Sequence, residues 1–187
     1  MQPPPHEREL IESAQKGDKA AVGALYEAYA DGIFQYISYR VETDEVAEDI
    51  TSEVFLRMVR GLPKYEYTGA PLSAWLYRIA SNRVTDHYRK SGRTVDTPDL
   101  EDMRSELDSP IDLITQEEER FRLRAALSAL SEDYQNVLIL RFMKELSHAN
   151  VGEIIGKSEA NVRVIQHRAL KALALELEKL DMQKGDE

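Results

Sequence analysis

The chain has no cysteine, so neither a disulfide framework nor a thiolate metal site is available to it. It has no apolar run long enough to span a bilayer and nothing shaped like a signal peptide, which makes the cytoplasm the expected location. Its four histidines, His6, His87, His148 and His167, are scattered without metal-ligand spacing. No Ser/His/Asp constellation, metal triad or glycine-rich phosphate loop stands out, so neither catalysis nor a cofactor is expected. What is present is the composition of an ordered, soluble protein: 187 residues, 42% apolar and 31% charged. That length suits one domain or two small ones, each burying a modest core.

A formal charge of −10 argues against nucleic acid only until it is partitioned. Residues 1–93 carry 12 basic and 14 acidic side chains, and residues 121–187 carry 10 of each. Residues 94–120 hold 2 basic against 10 acidic. The acidity is concentrated in the middle, and both flanks have room for basic patches.

The most informative stretch is Gly69 to Arg93. Gly69 and Pro71 break the chain, and a helical pattern runs on to Ser91-Gly92. On that helix Leu72, Leu76, Ile79 and Ala80 share the core side. Trp75, Arg78, Asn82, Arg89 and Arg93 form another stripe. Arginines can pair with phosphate, an indole can stack on a base, and an amide can read a base edge. Judged alone, the same stripe also fits a solvated basic face with a half-buried tryptophan.

Before it, residues 1–6 read as a loose end. A helix from Glu7 gives way at Gly17-Asp18, where Asp18 can cap the next helix. That helix carries Val22, Leu25, Tyr26, Tyr29, Ile33 and Ile37 at core spacing. Thr43 caps a third helix with acids in its first turn, ending at Gly61-Leu62-Pro63. Ala47, Ile50, Val54 and Met58 face inward there, while Asp49, Glu53, Leu56 and Arg60 face out. A leucine among charges suits a partner surface or is simply a stray exposed side chain. Tyr65 and Tyr67 lie in the short loop that follows, placed either for unstacked bases or to pack on the loop itself.

From Thr94 to Asp112 the apolar pattern lapses and Pro98 and Pro110 interrupt it, as in an interdomain linker. Thr115-Gln116-Glu117-Glu118 has the form of a capping box opening a second helical block. Within that block Ser131 can cap a helix holding Val137, Leu138 and Phe142. Ser147 opens another helix that ends at Gly156, and Ser158 caps the last, running to about Leu180. Two helices about a turn at Gly156-Lys157-Ser158 make the helix-turn-helix pattern. On the last helix Val162, Ile165, Ala169 and Ala172 are the buried side. Ala160, Arg163, Val164, His167, Arg168 and Lys171 face away, which suits a major groove, with Val164 able to touch a thymine methyl.

The stretches DEVAEDITSEVFLRMVRGL (44–62), AWLYRIASNRVTDHYRKSGR (74–93), LSEDYQNVLILRF (130–142) and SHANVGEIIGKSEANVRVIQHRALKAL (147–173) together resemble the extracytoplasmic-function sigma factors. These are compact members of the sigma-70 family, which direct bacterial RNA polymerase to promoters. WLYRIASN together with NVRVIQHRAL is specific to that resemblance; a helix-turn-helix alone is not.

The resemblance implies an all-α fold of two small helical domains. Residues 1–93 would be a region 2-like bundle and 115–187 a region 4-like helix-turn-helix domain, joined by an acidic flexible linker over 94–114. It implies core RNA polymerase as partner, through its clamp and flap regions, together with promoter DNA and an anti-sigma factor, in some relatives membrane-bound. Asp49, Glu53, Leu56 and Arg60 would then contact polymerase. The loop 64–72, with Tyr65 and Tyr67, and Asn82 would capture a flipped base of the downstream promoter element. Arg78, Arg83 and Arg89 would hold phosphates, and Trp75 and Arg93 would contact the same element. Helical arithmetic turns Arg83 toward the core side, where it would serve the polymerase or an internal carboxylate instead. Arg141, Ser158, Arg163, Val164, His167, Arg168 and Lys171 would meet the upstream element. Val164-Ile165 stands where many relatives carry polar or basic groups, leaving fewer hydrogen-bonding readers. The competing reading is a helix-turn-helix regulator whose first domain senses a ligand or a phosphoryl group.

Overall fold

The structure, a computed structural model, describes residues 3–67, 69–91 and 111–184, without the side chains of 91, 111–117, 183 and 184. The first block holds α1 (Glu7–Gln15), α2 (Lys19–Ser38), α3 (Asp44–Gly61) and α4 (Leu72–Ser91), with a 3-10 turn at Leu62–Lys64. The second holds α5 (Ile111–Ser128), α6 (Glu132–Leu138), a π-wound segment Ile139–Met143, α7 (His148–Ile155) and α8 (Glu159–Lys184). Among the described residues there is no strand.

The helix starts follow from their caps. The Asp18 carboxylate accepts from the backbone N–H groups of Ala20 and Ala21, and the Thr43 hydroxyl accepts from Val46. Ser147 does the same for Asn150 and Ser158 for Asn161. Ser131 occupies the N-cap position of α6, but its side chain makes no capping bond. The expected capping box at Thr115 is not a helix start: α5 already begins at Ile111, just after Pro110, so the end of the expected linker is helical. The rest of that linker, and Arg93, lie outside the described residues.

In the first block α4 packs against α2 and α3, with Leu72, Leu76 and Ala80 fully buried. Ile79, expected in the core, is only half-buried. Tyr26, also expected there, is 48% exposed and sets its ring edge-on against Phe55 at 4.7 Å. Buried rings that the spacing did not single out include Tyr36 and Tyr77, packed edge-on against each other, and Phe55 and Tyr88. In α3, Ala47, Ile50, Val54 and Met58 all face inward as expected.

The two blocks meet along a polar seam inside one continuous apolar cluster. The Arg40 guanidinium, buried beyond the end of α2, donates to Asn136 Oδ1 at 2.8 Å and Ser81 Oγ at 3.2 Å, and lies 3.6 Å from the Glu132 carboxylate. The Tyr36 hydroxyl also donates to Asn136, and Lys144 Nζ donates to Gln35 Oε1 at 2.6 Å.

Burial pushes Lys144 down to about 8 from 10.5. Between those values the unfolded lysine binds a proton that the folded one has released, so stability from this group rises with pH. Above about 10 the buried hydroxyls of Tyr29 and Tyr77, both pushed up by desolvation, reverse the trend, because the unfolded tyrosines ionise first. Chemical denaturation of the intact protein should therefore show a gain from pH 8 toward 10 that Lys144→Met removes.

Candidate nucleic-acid interface

On the open side of α4, Trp75 is half-buried beside α3. Its indole lies over Gly61, where a Cβ would come within 2.9 Å of the ring, and against Tyr65, ring centroids 4.8 Å apart. Tyr65 therefore packs on the α4 indole rather than on its own loop, while Tyr67 stays exposed. The indole divides two hollows. One, of about 630 Å³, is lined by Lys64, Tyr65, Pro71, Trp75, Arg78 and, from α7, Glu153. The other, of about 480 Å³, is lined by Arg57, Arg60, Ile79, Asn82 and Arg83 behind the same indole. Aromatic surface beside guanidinium groups is what an unstacked strand needs.

The expected arginines divide into two groups. Arg78 is exposed at its hollow. Arg83 is not on the open stripe: it pairs with Asp86 and, at 3.8 Å, with Glu53 across the α3–α4 contact. Arg89 is exposed but bonded to Asp86 at 2.8 Å. Arg57 was missed by the sequence reading, since it falls between the core and outer stripes of α3.

On α3 the residues Asp49, Glu53, Leu56 and Arg60 all face outward, Leu56 56% exposed. Val59, one turn beyond Leu56, and Tyr26 are exposed as well, so the apolar area is larger than one leucine.

In the second block α7 ends at Gly156, whose φ of 69° is the left-handed cap that lets the chain turn into α8. On α8, Val162 and Ala169 are buried and Arg163, Val164, His167, Arg168 and Lys171 are exposed as expected, but Ile165 and Ala172, also expected on the buried side, are only half-buried. Ser158 is engaged as a cap, and Arg163 bonds Glu159 one turn away. Arg141 is half-buried and engaged within the fold, donating to Gln166 at 3.1 Å and to the Leu146 carbonyl. Gln166 also meets His148 at 2.9 Å, tying α7 to α8. No group of side chains able to hold a metal occurs among the described residues, and no described helix is long and apolar enough to cross a membrane.

Helices alone, with an aromatic-basic face in one block and a helix-turn-helix in the other, make this an all-α protein of two helical domains. Two family descriptions match it: sigma-70 region 2 over residues 25–94 and sigma-70, region 4, over residues 120–173. The chain is 38% identical over 168 residues to the ECF RNA polymerase sigma factor BldN of Streptomyces coelicolor, covering 89% of itself and 64% of that relative's length. It is 31% identical over 174 residues to the ECF RNA polymerase sigma factor SigD of Mycobacterium tuberculosis, covering 90% of itself and 82% of the relative. In fold it is similar to CnrH, solved in complex with the cytosolic domain of CnrY, with a TM-score of 0.72 at 21% identity over 92% of this chain and 97% of that one. The chain belongs to the sigma-70 family, among its ECF sigma factors, and is thus a transcription initiation factor. The first domain matches region 2 of that family rather than a sensor domain, so the ligand- or phosphoryl-sensing regulator is not favoured.

Gly152 tests the helix-turn-helix geometry. A Cβ there would sit 2.5 Å from the Lys157 carbonyl oxygen, a backbone atom with little freedom to move. Gly152→Ala should destabilise the second block by about 1–3 kcal/mol, the usual cost of overpacking, with loss of hydrogen-exchange protection concentrated in α7 and α8.

Proposed function

We propose that the protein docks on core RNA polymerase through the outer face of α3, with Leu56, Asp49, Glu53 and Arg60 as contacts and Tyr26 and Val59 widening the apolar area. Its α8 face then reads the upstream promoter element as duplex, through Arg163, Val164, His167, Arg168 and Lys171. The Trp75 hollows take the downstream element after it opens: Tyr65, Tyr67 and Trp75 offer stacking surface, Asn82 reads the captured base, and Arg78 and Arg89 hold phosphates. Arg83, paired with Glu53 and Asp86, serves this reading as a brace between α3 and α4 rather than as a phosphate ligand. Arg141, bonded to Gln166, orients α8. The observation that carries the proposal is the half-buried Trp75 between two hollows, with Asn82, Arg57 and Arg60 in one of them and Arg78 in the other.

The mechanism has no covalent step. Capturing a base that has left the duplex binds the melted state better than the closed one, so the equilibrium shifts toward opening without ATP. The acidic segment 94–120 repels free DNA and mimics a phosphate backbone within the polymerase. Glu153 beside Trp75 and Arg78 adds a carboxylate where a phosphate would approach. The free protein accordingly binds promoters weakly and gains affinity on the enzyme. A protein partner that holds the molecule away from polymerase is part of this reading, an anti-sigma factor by its role. CnrH, of the same fold, was solved in complex with the cytosolic domain of CnrY. The site of action is the cytoplasm.

Gel filtration of the protein with core polymerase, followed by run-off transcription over a promoter library, tests the docking: co-elution and new start sites are expected, and separate elution without transcripts overturns it. Asn82→Ala should leave recruitment intact and lower permanganate reactivity of the promoter by about tenfold, the scale of one lost base-edge contact.

A further inference from the structure

The loop that leads into α4 makes a local backbone bond, from the Tyr65 N–H to the Leu62 carbonyl at 3.0 Å, and takes its other anchors from outside. Between the 3-10 turn and Leu72 it belongs to no helix, yet Tyr65 must keep its ring on Trp75. Those outside anchors come from α1, which lies wholly before the region matched to sigma-70 region 2. At the C-terminal end of α1 the Gln15 side-chain amide donates to two backbone carbonyls, Leu62 at 3.0 Å and Tyr65 at 2.7 Å. At the other end Glu7, only 7% exposed, accepts the Leu72 N–H at 3.0 Å and the Tyr29 hydroxyl.

We infer that α1 is a brace that sets the mouth of the base-capture loop, with Gln15 and Glu7 as positioning residues for selection of the captured base. Eight residues of helix separate the two grips by about 12 Å, a distance a helix holds and a loop does not. Glu7 closes the far end by satisfying the first N–H of α4, which no intrahelical carbonyl can reach. Both of its donors are neutral, so it acts as an acceptor rather than as half of an ion pair. The grip on Tyr65 is passed on directly: its carbonyl is held by Gln15 and its ring lies on the indole. Burial and the nearby Glu7 carboxylate both push the Tyr65 hydroxyl up, consistent with a tucked-in ring. The inference rests on the capture reading above, and its test separates the two.

Trp75 is the single tryptophan, so its fluorescence reports the mouth of the loop without a label. In the full-length protein Gln15→Ala should raise acrylamide quenching of Trp75 toward that of an open indole, with polymerase affinity unchanged. On polymerase it should lower, by about tenfold for two lost hydrogen bonds, the preference for a promoter with an intact base at the captured position over one abasic there. Glu7→Gln keeps the acceptor oxygen and should retain most of that preference, whereas Glu7→Ala should lose it. If Gln15→Ala is folded and both quenching and preference match the parent protein, the brace is refuted. If polymerase affinity falls in step with preference, Gln15 is merely structural and the positioning role is refuted. If Asn82→Ala leaves the preference intact, the capture reading fails, and the quenching result alone then decides whether α1 holds the indole.

Discussion

The buried guanidinium of Arg40 is the constraint on which the arrangement of the molecule depends. An ionised group taken out of water must be surrounded by acceptors, because an unpaired one costs several kcal/mol. Arg40 cannot find enough of them in its own block. Tyr36 and Ser81 supply two, and Asn136, Gln135 and the nearby Glu132 all come from α6. Ser81 and Thr85 extend the same network by donating to Glu132. The first block leaves this guanidinium short of polar partners and α6 supplies more of them, although Nη2 makes no hydrogen bond and meets the Glu132 carboxylate only at 3.6 Å.

With α6 fixed against α2 and α4, α7 lies across α4 and brings Glu153 to the hollow beside Trp75. The same helix α4 is thus buried on one side among Leu72, Leu76 and Ala80, bonded to the second block through Ser81 and Thr85, and open on a third side at Arg78 and Asn82. Three roles on one helix explain why polar and basic side chains crowd both flanks of its apolar stripe. They also show how a protein of net charge −10 can present basic surface. Asp86 engages Arg83 and Arg89, and Gln166 engages Arg141, leaving Arg78, Arg168 and Lys171 as exposed cations on the two reading faces.

The helix boundaries were legible in the sequence because caps and breakers act within a few residues. Asp18, Thr43, Ser147, Gly156 and Ser158 all do locally what their chemistry allows. The reading of Thr115 as a cap failed because a capping box is only a pattern, and the chain was already helical from Ile111. Periodicity found the outward faces of α3 and α8 but misjudged Tyr26, since helical spacing cannot tell a ring that enters the core from one that lies along its edge.

By itself the sequence determined the helices, their apolar stripes, the helix-turn-helix and, by resemblance, the family. These depend on neighbours three or four residues apart and on residue types in order. Only the tertiary structure decided which charged side chains are available. Arg83 meets Glu53 thirty residues away, Arg40 finds Asn136 ninety-six away, and Gln15 reaches the Leu62 and Tyr65 carbonyls from another helix. A hydrogen bond is set by distance in space, and a one-dimensional pattern carries no information about which distant group will fill it.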